Sequence, residues 1–290
     1  MGLSAIKGYR SALNTVFRAM QRLDLVQDDR ITNLFKAFGI ERPITRRLFP
    51  LWDLPKVLRA LSTLPYEPIS DTTLRDLTKK TMFLLALASG KRRSEIAALV
   101  ADARHLQFAT GHSSVTLIPA LTFRSKTQPA LRPSEPWTIP SLAAVVGRED
   151  DRLLCPVRAL CWYLERTKSD VRRGPDSQLF LPLDPAVPST TPNMVSRLLY
   201  NVIFRAYLAE GDPADTDNVR ITAHEIRALA ASWKAANCVP LEEVLRTASW
   251  KNATTFTSHY LRDLCHQREG LYSLGPIVVG QQIIQKPQNP

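Results

Sequence analysis

The sequence has only four cysteines, and none of them stands in a C-x-x-C pair or at a Cys/His spacing that binds metal. This absence argues against a zinc site and against a disulfide framework, and it favours a reduced intracellular compartment. No apolar run approaches the length of a membrane span, and the N-terminus has no signal-peptide core and no myristoylation site. Internal repeats and low-complexity segments are also lacking. We therefore expect a soluble intracellular protein that needs no metal and contacts no membrane.

Basic residues outnumber acidic ones by 38 to 27, which gives a net charge of +11 and a pI near 9.7. The excess is uneven, because residues 1–60 contain eleven Lys or Arg and five Asp or Glu. A hydrophobic content of 44% is enough for a folded core. The charge suggests a polyanionic partner, although it also fits many basic proteins that bind none.

Helical periodicity dominates the chain. Short alternating segments predict strands at 104–110, 114–118, 121–124 and 137–140. We therefore predict a mainly α fold with a small antiparallel β-sheet. The predicted helices cover residues 3–20, 29–39, 53–64, 73–89, 156–168 and 192–208, followed by a helix that begins at Thr222.

The order of these elements predicts three regions. Residues 1–45 hold two helices, too few for an independent core, and are interpreted as part of an N-terminal helical domain. Residues 46–270 form the main domain, and residues 271–290 form a tail without helical periodicity.

The stretch from Thr222 to Arg262 contains the most informative pattern. Thr222 can cap a helix on which His224 and Arg227 stand three residues apart. At 100° per residue they fall opposite the apolar stripe of this helix, so an imidazole and a guanidinium can face a phosphate together. Taken singly, each residue has a structural interpretation. A second H-x-x-R occurs at His259 and Arg262, and Trp250 and Tyr260 could be ordinary core aromatics.

Upstream residues complete a recognisable set. The segment SGKRRSEI contains Arg92, Arg93 and Glu95, and Lys126 begins a polar loop between predicted strands. Together with HEIR, Trp250 and Tyr260, these residues resemble the active-site set of the tyrosine recombinases, the integrase, Cre-like and Xer-like enzymes. The resemblance covers about residues 45–265. The phrases WDLPKVLRAL, LCPVRALCWYL and TTFTSHYLRDL resemble recombinases of DIRS-like and Ngaro-like retrotransposons.

The resemblance implies a catalytic-domain fold of that family, preceded by a truncated core-binding domain. It also implies site-specific DNA cleavage and rejoining through a 3′-phosphotyrosyl link, a Holliday junction in a tetramer on double-stranded DNA, and integration of a mobile element. The lack of a P-loop and of a carboxylate cluster agrees with chemistry that needs no cofactor. The catalytic residues that it implies are Arg92 (in preference to Arg93), Lys126, His224, Arg227, Trp250 and Tyr260.

These residue types suit the reaction. A tyrosine can store the broken phosphodiester as an ester. Two guanidiniums, of Arg92 and Arg227, can neutralise the charge that develops on the phosphate, and His224 and the indole N–H of Trp250 can add hydrogen bonds. Lys126 suits a general acid for the leaving 5′ oxygen. Glu95 and Glu225 are expected to orient the arginines. Tyr272 is an alternative nucleophile without an upstream Trp.

Further arginines are expected to contact phosphates, with solvated surface as the alternative: Arg10, Arg42, Arg46, Arg47 and Arg124. Two other functions stay open: a catalytically inactive, DNA-binding relic of a transposon recombinase, and a helical scaffold for RNA or acidic proteins. For a eukaryotic chain of this kind, a nuclear location is expected.

Overall fold

A computed structural model describes residues 3–41, 52–125, 135–142, 152–209, 223–236, 239–248, 250 and 252–262. The chain divides into two compact units, Met1–Arg47 and Leu48–Pro290, and each is described by itself. None of the helices found in these residues has both the length and the apolar character that a membrane span requires.

The described residues of the first unit form three helices: α1 (Leu3–Ala19), α2 (Leu23–Val26) and α3 (Asp29–Glu41). The two long helices were predicted, whereas the single turn α2 was not. Arg10 joins α1 to α3, because its guanidinium donates to Thr32 Oγ1 at 3.1 Å and lies 4.8 Å from the centre of the Phe35 ring. None of the described side chains on α3 is buried. This unit therefore has little core of its own.

The second unit is mainly helical, and its predicted helix starts agree with the structure. Asp53 and Thr73 accept hydrogen bonds from the first-turn amides of their helices, as N-caps do. The helices are α4 (Leu54–Leu61), α5 (Leu74–Ser89), α6 (Arg93–Ala97), α7 (Pro156–Thr167), α8 (Pro192–Ala209), α9 (Ala223–Ala236), α10 (Leu241–Thr247) and α11 (Ala253–Thr255).

Helix α5 lies at the centre of this unit, and α7, α8 and α9 all pack against it. Every residue from Asp76 to Ser89 is buried. The helix ends at Gly90, whose φ of 61° lies in the left-handed region that glycine adopts at little cost. This turn leads directly into α6 and therefore fixes the position of Arg92, which immediately precedes that helix.

Three short strands form an antiparallel sheet in the order β1 (Leu106–Phe108), β2 (Ser114–Leu117) and β3 (Trp137–Pro140). The mainly α fold with a small antiparallel sheet is thereby confirmed. The strand predicted at 121–124 is wrong. Residues 121 and 122 form a turn instead, in which the amide of Phe123 donates to the carbonyl of Ala120 at 2.9 Å. Leu121 is 66% exposed, so the alternation there marks no sheet face.

A buried ionic cluster joins the loop before α5 to α5 and α7. The carboxylate of Glu67 accepts hydrogen bonds from Lys80 and from the guanidinium of Arg158, the latter at 2.8 and 3.2 Å. Its second oxygen also accepts from the amide of Ile69 at 2.9 Å. The lysine is fully buried and donates in addition to the carbonyl of Leu61. Each charge in this cluster therefore has a close partner.

The C-terminal part of the described chain has a small core of its own. Trp250 and Phe256 are buried in it, and Tyr260 and Leu261 pack against them. The remaining buried members come from α9, α10 and the segments flanking α10: Ala231, Val239, Val244 and Ala248. This cluster fixes the segment that carries Tyr260 against α9.

Candidate active site

Arg92 is the N-cap of α6, immediately after the Gly90 turn. Its amide donates to Glu95 Oε2 at 2.8 Å, and its guanidinium donates to Ser125 Oγ at 3.3 Å. Arg93 points elsewhere and donates to Asn193 Oδ1 and Ser196 Oγ on α8. Of the two adjacent arginines, Arg92 is therefore the one that shares the carboxylate of Glu95 with Arg227.

Glu95 lies between two guanidiniums. The same oxygen, Oε2, is 3.9 Å from Arg92 Nη1 and 3.8 Å from Arg227 Nη1. Both separations exceed a normal hydrogen bond, so the carboxylate offsets the two charges without using up their donors. Glu95 therefore lies close to both arginines, and its role in orienting them stays a prediction.

Arg227 is far more buried than the sequence pattern indicates, with 1% of its surface exposed. Its guanidinium donates to the carbonyl of Gly90 at 3.0 Å and to the carbonyl of Ala248. Its Cζ atom lies 4.7 Å from the centre of the Trp250 ring and 5.6 Å from that of Tyr260. Within the described residues, its Nε has no hydrogen-bond acceptor.

Burial, with added repulsion from Arg92, lowers the pKa of Arg227 to about 10, so the group keeps its charge at neutral pH. A buried cation with a spare donor is an unusual arrangement, because burying a charge is costly unless it is paired.

His224 occupies the preceding turn of α9 and stays exposed. Its ring centre lies 6.3 Å from that of Tyr260 in an edge-on arrangement. Partial burial lowers its pKa below the usual 6.5, and repulsion from the guanidiniums of Arg227, Arg93 and Arg92 lowers it further. The imidazole is therefore neutral at pH 7 and can either donate or accept a proton.

Tyr260 ends a single π-helical turn, Phe256–Tyr260, that continues from α11. Its ring centre lies 4.4 Å from that of Trp250 at an interplanar angle of 41°, and Trp250 stacks in turn on Phe256 at 5.5 Å. Trp250 is buried, and its Nε1 has no acceptor among the described residues. The indole therefore packs against Tyr260 and keeps an unused donor.

Glu225 pairs with Arg262, whereas the prediction placed it beside Arg92 and Arg227. Its carboxylate accepts two hydrogen bonds from one edge of the Arg262 guanidinium, with Nε–Oε1 and Nη2–Oε2 distances of 2.8 and 2.9 Å. Arg262 lies two residues after Tyr260, so this pair joins α9 to the segment that carries the tyrosine. Sequence reasoning missed Arg262 because its H-x-x-R spacing with His259 was weighed only as a competing motif.

The sequence pattern also did not single out two lysines with lowered pKa values, Lys91 and Lys234. Lys91 is 8% exposed and lies 5.8 Å from the centre of the Trp137 ring. Burial lowers the pKa of Lys91, and it lowers that of Lys234 to about 8. The position of Lys91 between Gly90 and Arg92 was the available signal.

The other predicted residues either have different contacts or lie outside the described part of the chain. Arg10 lies in the first unit, and the exposed Arg124 donates to the carbonyls of Leu121 and Phe123. Thr222, Lys126, Arg42, Arg46, Arg47 and Tyr272 lie outside the described residues.

One group of side chains has ligand types that metals accept. The ligand atoms of Asp102, His105 and Asp176 lie within 4.8 Å of one another. The Arg104 guanidinium already binds both carboxylates, at 3.2 and 2.7 Å. This cation satisfies the acidic pair, so the group is best explained as a surface ion-pair network.

No protein-family model matches the chain, and no curated protein is similar to it in sequence. Its structure is similar to that of a lambda integrase dimer bound to a COC′ core site, with a TM-score of 0.48 and 17% identity over 93% of this chain. The chain spans only 61% of that integrase chain. A lambda integrase tetramer bound to a Holliday junction has a TM-score of 0.44 and 16% identity, over 91% of this chain and 60% of that one.

XerA recombinase is similar at a TM-score of 0.44 and 16% identity, with 91% of this chain and 79% of that chain covered. With TM-scores below 0.5, these likenesses do not by themselves assign a family or an activity to the chain.

Proposed function

We propose that the chain cleaves and rejoins DNA strands, with Tyr260 as the nucleophile. The observation that carries this proposal is the convergence of five residues from separate parts of the sequence. Tyr260 packs on Trp250, beside the buried Arg227 and the neutral His224. Arg92 joins them through the shared carboxylate of Glu95.

In the proposed reaction the Tyr260 hydroxyl attacks a backbone phosphorus. The new bond is a 3′-phosphotyrosyl ester, and the bond to the 5′ oxygen breaks. The guanidiniums of Arg92 and Arg227 neutralise the charge on the non-bridging oxygens, and the unused Nε1 of Trp250 can donate to one of them. Two guanidiniums face the single carboxylate of Glu95, so the positive charge exceeds the negative charge there, and this excess favours an anion such as a phosphate.

Two proton transfers complete the step. The tyrosine proton must leave, and the neutral imidazole of His224 can accept it or can hydrogen-bond the phosphate. The leaving 5′ oxygen must gain a proton, and Lys126 remains the proposed donor on the strength of the motif alone. Rejoining reverses both transfers, so the reaction consumes neither water nor an energy-rich cofactor.

The broader biological role is proposed from the resemblance of the sequence motifs. It comprises integration of a mobile element of the DIRS-like or Ngaro-like kind, assembly of a tetramer on double-stranded DNA with a Holliday junction, and an intracellular, in eukaryotes nuclear, location. In this proposal residues 1–45 belong to a core-binding domain, residues 46–270 to the catalytic domain, and Arg42, Arg46 and Arg47 contact DNA phosphates.

Covalent trapping tests the chemistry. The protein is incubated with a pool of nicked duplexes that includes the repeats flanking its own coding element, then denatured in SDS and scored for a DNA-shifted band. We expect an adduct with the wild type, none with Tyr260→Phe, and an unchanged adduct with Tyr272→Phe as the matched control. Adducts that survive Tyr260→Phe would contradict the assignment. Salt-sensitive DNA binding without adducts on any duplex would favour a DNA-binding relic instead.

A further inference from the structure

Arg262 and Glu225 form the closest ion pair near the proposed nucleophile. Two parallel hydrogen bonds of 2.8 and 2.9 Å join them, and only 12% and 4% of the two side chains are exposed. Such fork-to-fork pairs are strong and fix relative orientation as well as distance. Glu225 follows His224 directly on α9, whereas Arg262 follows Tyr260 by two residues. The pair therefore links the two parts of the proposed site.

The backbone beside Tyr260 is held by a second contact to the same helix. Ser232 is 2% exposed, and its hydroxyl accepts a hydrogen bond from the amide of Arg262 at 2.8 Å. The same hydroxyl donates to the carbonyl of Tyr260 at 3.2 Å. One serine therefore fixes the chain on both sides of Leu261, two helical turns beyond Glu225.

Most donors of Arg262 are used within the chain, which leaves little capacity to bind a phosphate. Its Nε and Nη2 donate to Glu225, and its Nη1 donates to the carbonyls of His259 and Leu261, both at 3.2 Å. The carboxylate also neutralises its charge. This arrangement differs from that of Arg92 and Arg227, whose nearest carboxylate within the described residues lies beyond hydrogen-bond distance.

Tyr260 needs such an anchor because its own helix is too short to hold it. Helix α11 has three residues and the π turn has five, and helices of this length are not stable alone. We propose that Arg262, Glu225 and Ser232 form a latch that positions Tyr260 in the active site of its own chain. This inference rests on the proposed function of Tyr260, and it makes Arg262 a positioning residue for strand cleavage.

Hydrogen–deuterium exchange tests the latch as a contact, whatever the chain does to DNA. We expect Arg262→Ala to speed amide exchange in residues 253–262 at least tenfold. Arg172 forms an equivalent two-point bond with Asp170, at 2.9 and 2.7 Å, and supplies the matched control. Arg172→Ala should leave exchange in 253–262 unchanged. Unchanged exchange with Arg262→Ala would overturn the latch.

Single-turnover adduct formation tests its role in positioning. A displacement of about 1 Å at a reacting group lowers a rate by about 100-fold. We expect Arg262→Ala and Glu225→Gln to slow adduct formation by about that factor, with the Kd for the duplex within twofold of the wild type. The charge-exchanged pair Glu225→Arg with Arg262→Glu should recover at least tenfold over Arg262→Glu alone.

Equal losses in the single and the exchanged variants would show a merely structural role and overturn the inference. If the wild type itself forms no adduct, the proposed function fails, while the exchange measurement still decides whether the latch exists.

Discussion

Two buried carboxylates in this protein, Glu67 and Glu95, each face two cations but in different ways. Glu67 accepts direct hydrogen bonds from Lys80 and Arg158, and its second oxygen also binds the amide of Ile69. Glu95 binds the amide of Arg92 at 2.8 Å but stays 3.8 to 3.9 Å from the guanidiniums. Glu67 therefore accepts hydrogen bonds from the cationic side chains around it, whereas Glu95 accepts none from either guanidinium.

This difference separates a structural cluster from a prospective binding site. A buried ion pair is tolerated when close hydrogen bonds compensate for lost hydration, and the Glu67 cluster meets that condition. Around Glu95 the positive charges of Arg92 and Arg227 are only partly offset, and donors remain on Arg227 and Trp250. In the proposed function a phosphate would complete the Glu95 cluster, whereas every charge of the Glu67 cluster already has a close partner. Substitution in the Glu95 cluster should therefore mainly lower the activity, whereas substitution in the Glu67 cluster should mainly lower the stability of the fold.

The largest effect is expected at Arg227. Arg227→Lys keeps the charge but loses the fork that bonds the carbonyls of Gly90 and Ala248. Removing one such donor typically slows a reaction 10²- to 10³-fold, about 3 to 4 kcal/mol, and we expect a loss in that range for adduct formation. Single-turnover trapping measures it, with Arg158→Lys in the Glu67 cluster as control. Adduct formation within tenfold of the wild type would equate the two clusters and contradict the comparison.

A substitution in the Glu67 cluster should instead lower the stability of the fold. Lys80→Met removes one partner from the buried Glu67 and should destabilise the fold by about 3 kcal/mol. Denaturant unfolding measures this loss. Lys168→Met, which breaks an exposed pair with Glu165 at 3.9 Å, is the control and should cost less than about 0.5 kcal/mol.

The Glu67 cluster should also make the stability of the fold decrease at acid pH. Burial opposes ionisation of Glu67, but hydrogen bonds from Arg158 and Lys80 outweigh it and lower the pKa below the usual 4.5. The stabilisation is therefore complete above pH 4.5 and is lost as the pH falls through the folded pKa. Losing Lys80 should move this loss to higher pH. Equal stability of Lys80→Met and wild type at pH 7 would show that the pair contributes nothing.

Local signals predicted the helices well. Helices α4 and α5 begin where predicted, with Asp53 and Thr73 as N-caps, and α5 ends at Gly90, because each of these signals acts within one helical turn. The sequence also predicted that His224, Arg227, Trp250 and Tyr260 come together, since their order and spacing resemble a known set. The strand at 121–124 failed because a three- or four-residue alternation does not determine whether a sheet lies beside it.

Long-range pairings were beyond the sequence. Glu225 lies 37 residues before Arg262, and only the packing of the π turn against α9 brings them together. From periodicity alone, Arg227 was placed opposite the apolar stripe, yet it is buried because α10 and Trp250 cover that side of α9. Helical periodicity shows which residues share a face, but it does not show whether a second element covers the opposite face.

The smallest predicted effect concerns the charge on His224. Partial burial and three guanidiniums lower its pKa below 6.5, so its contribution to stability is complete above pH 6.5 and decreases as the pH falls through the folded value. Proton NMR of the imidazole, assigned with His224→Gln, should give a midpoint below 6.5. Arg93→Gln should raise that midpoint, because Arg93 adds repulsion without belonging to the proposed catalytic set.

Repeating the His224 titration with inorganic phosphate tests whether the Glu95 cluster binds an anion. If the excess positive charge around Glu95 binds an anion, phosphate should raise the midpoint of His224, because a bound negative charge favours the imidazolium. Chloride at equal ionic strength is the control for screening, which acts on all charges alike. A midpoint that rises equally with both salts would mean that screening alone is at work. A rise specific to phosphate would place an anion among Arg92, Arg227 and His224, where the proposed reaction requires the scissile group.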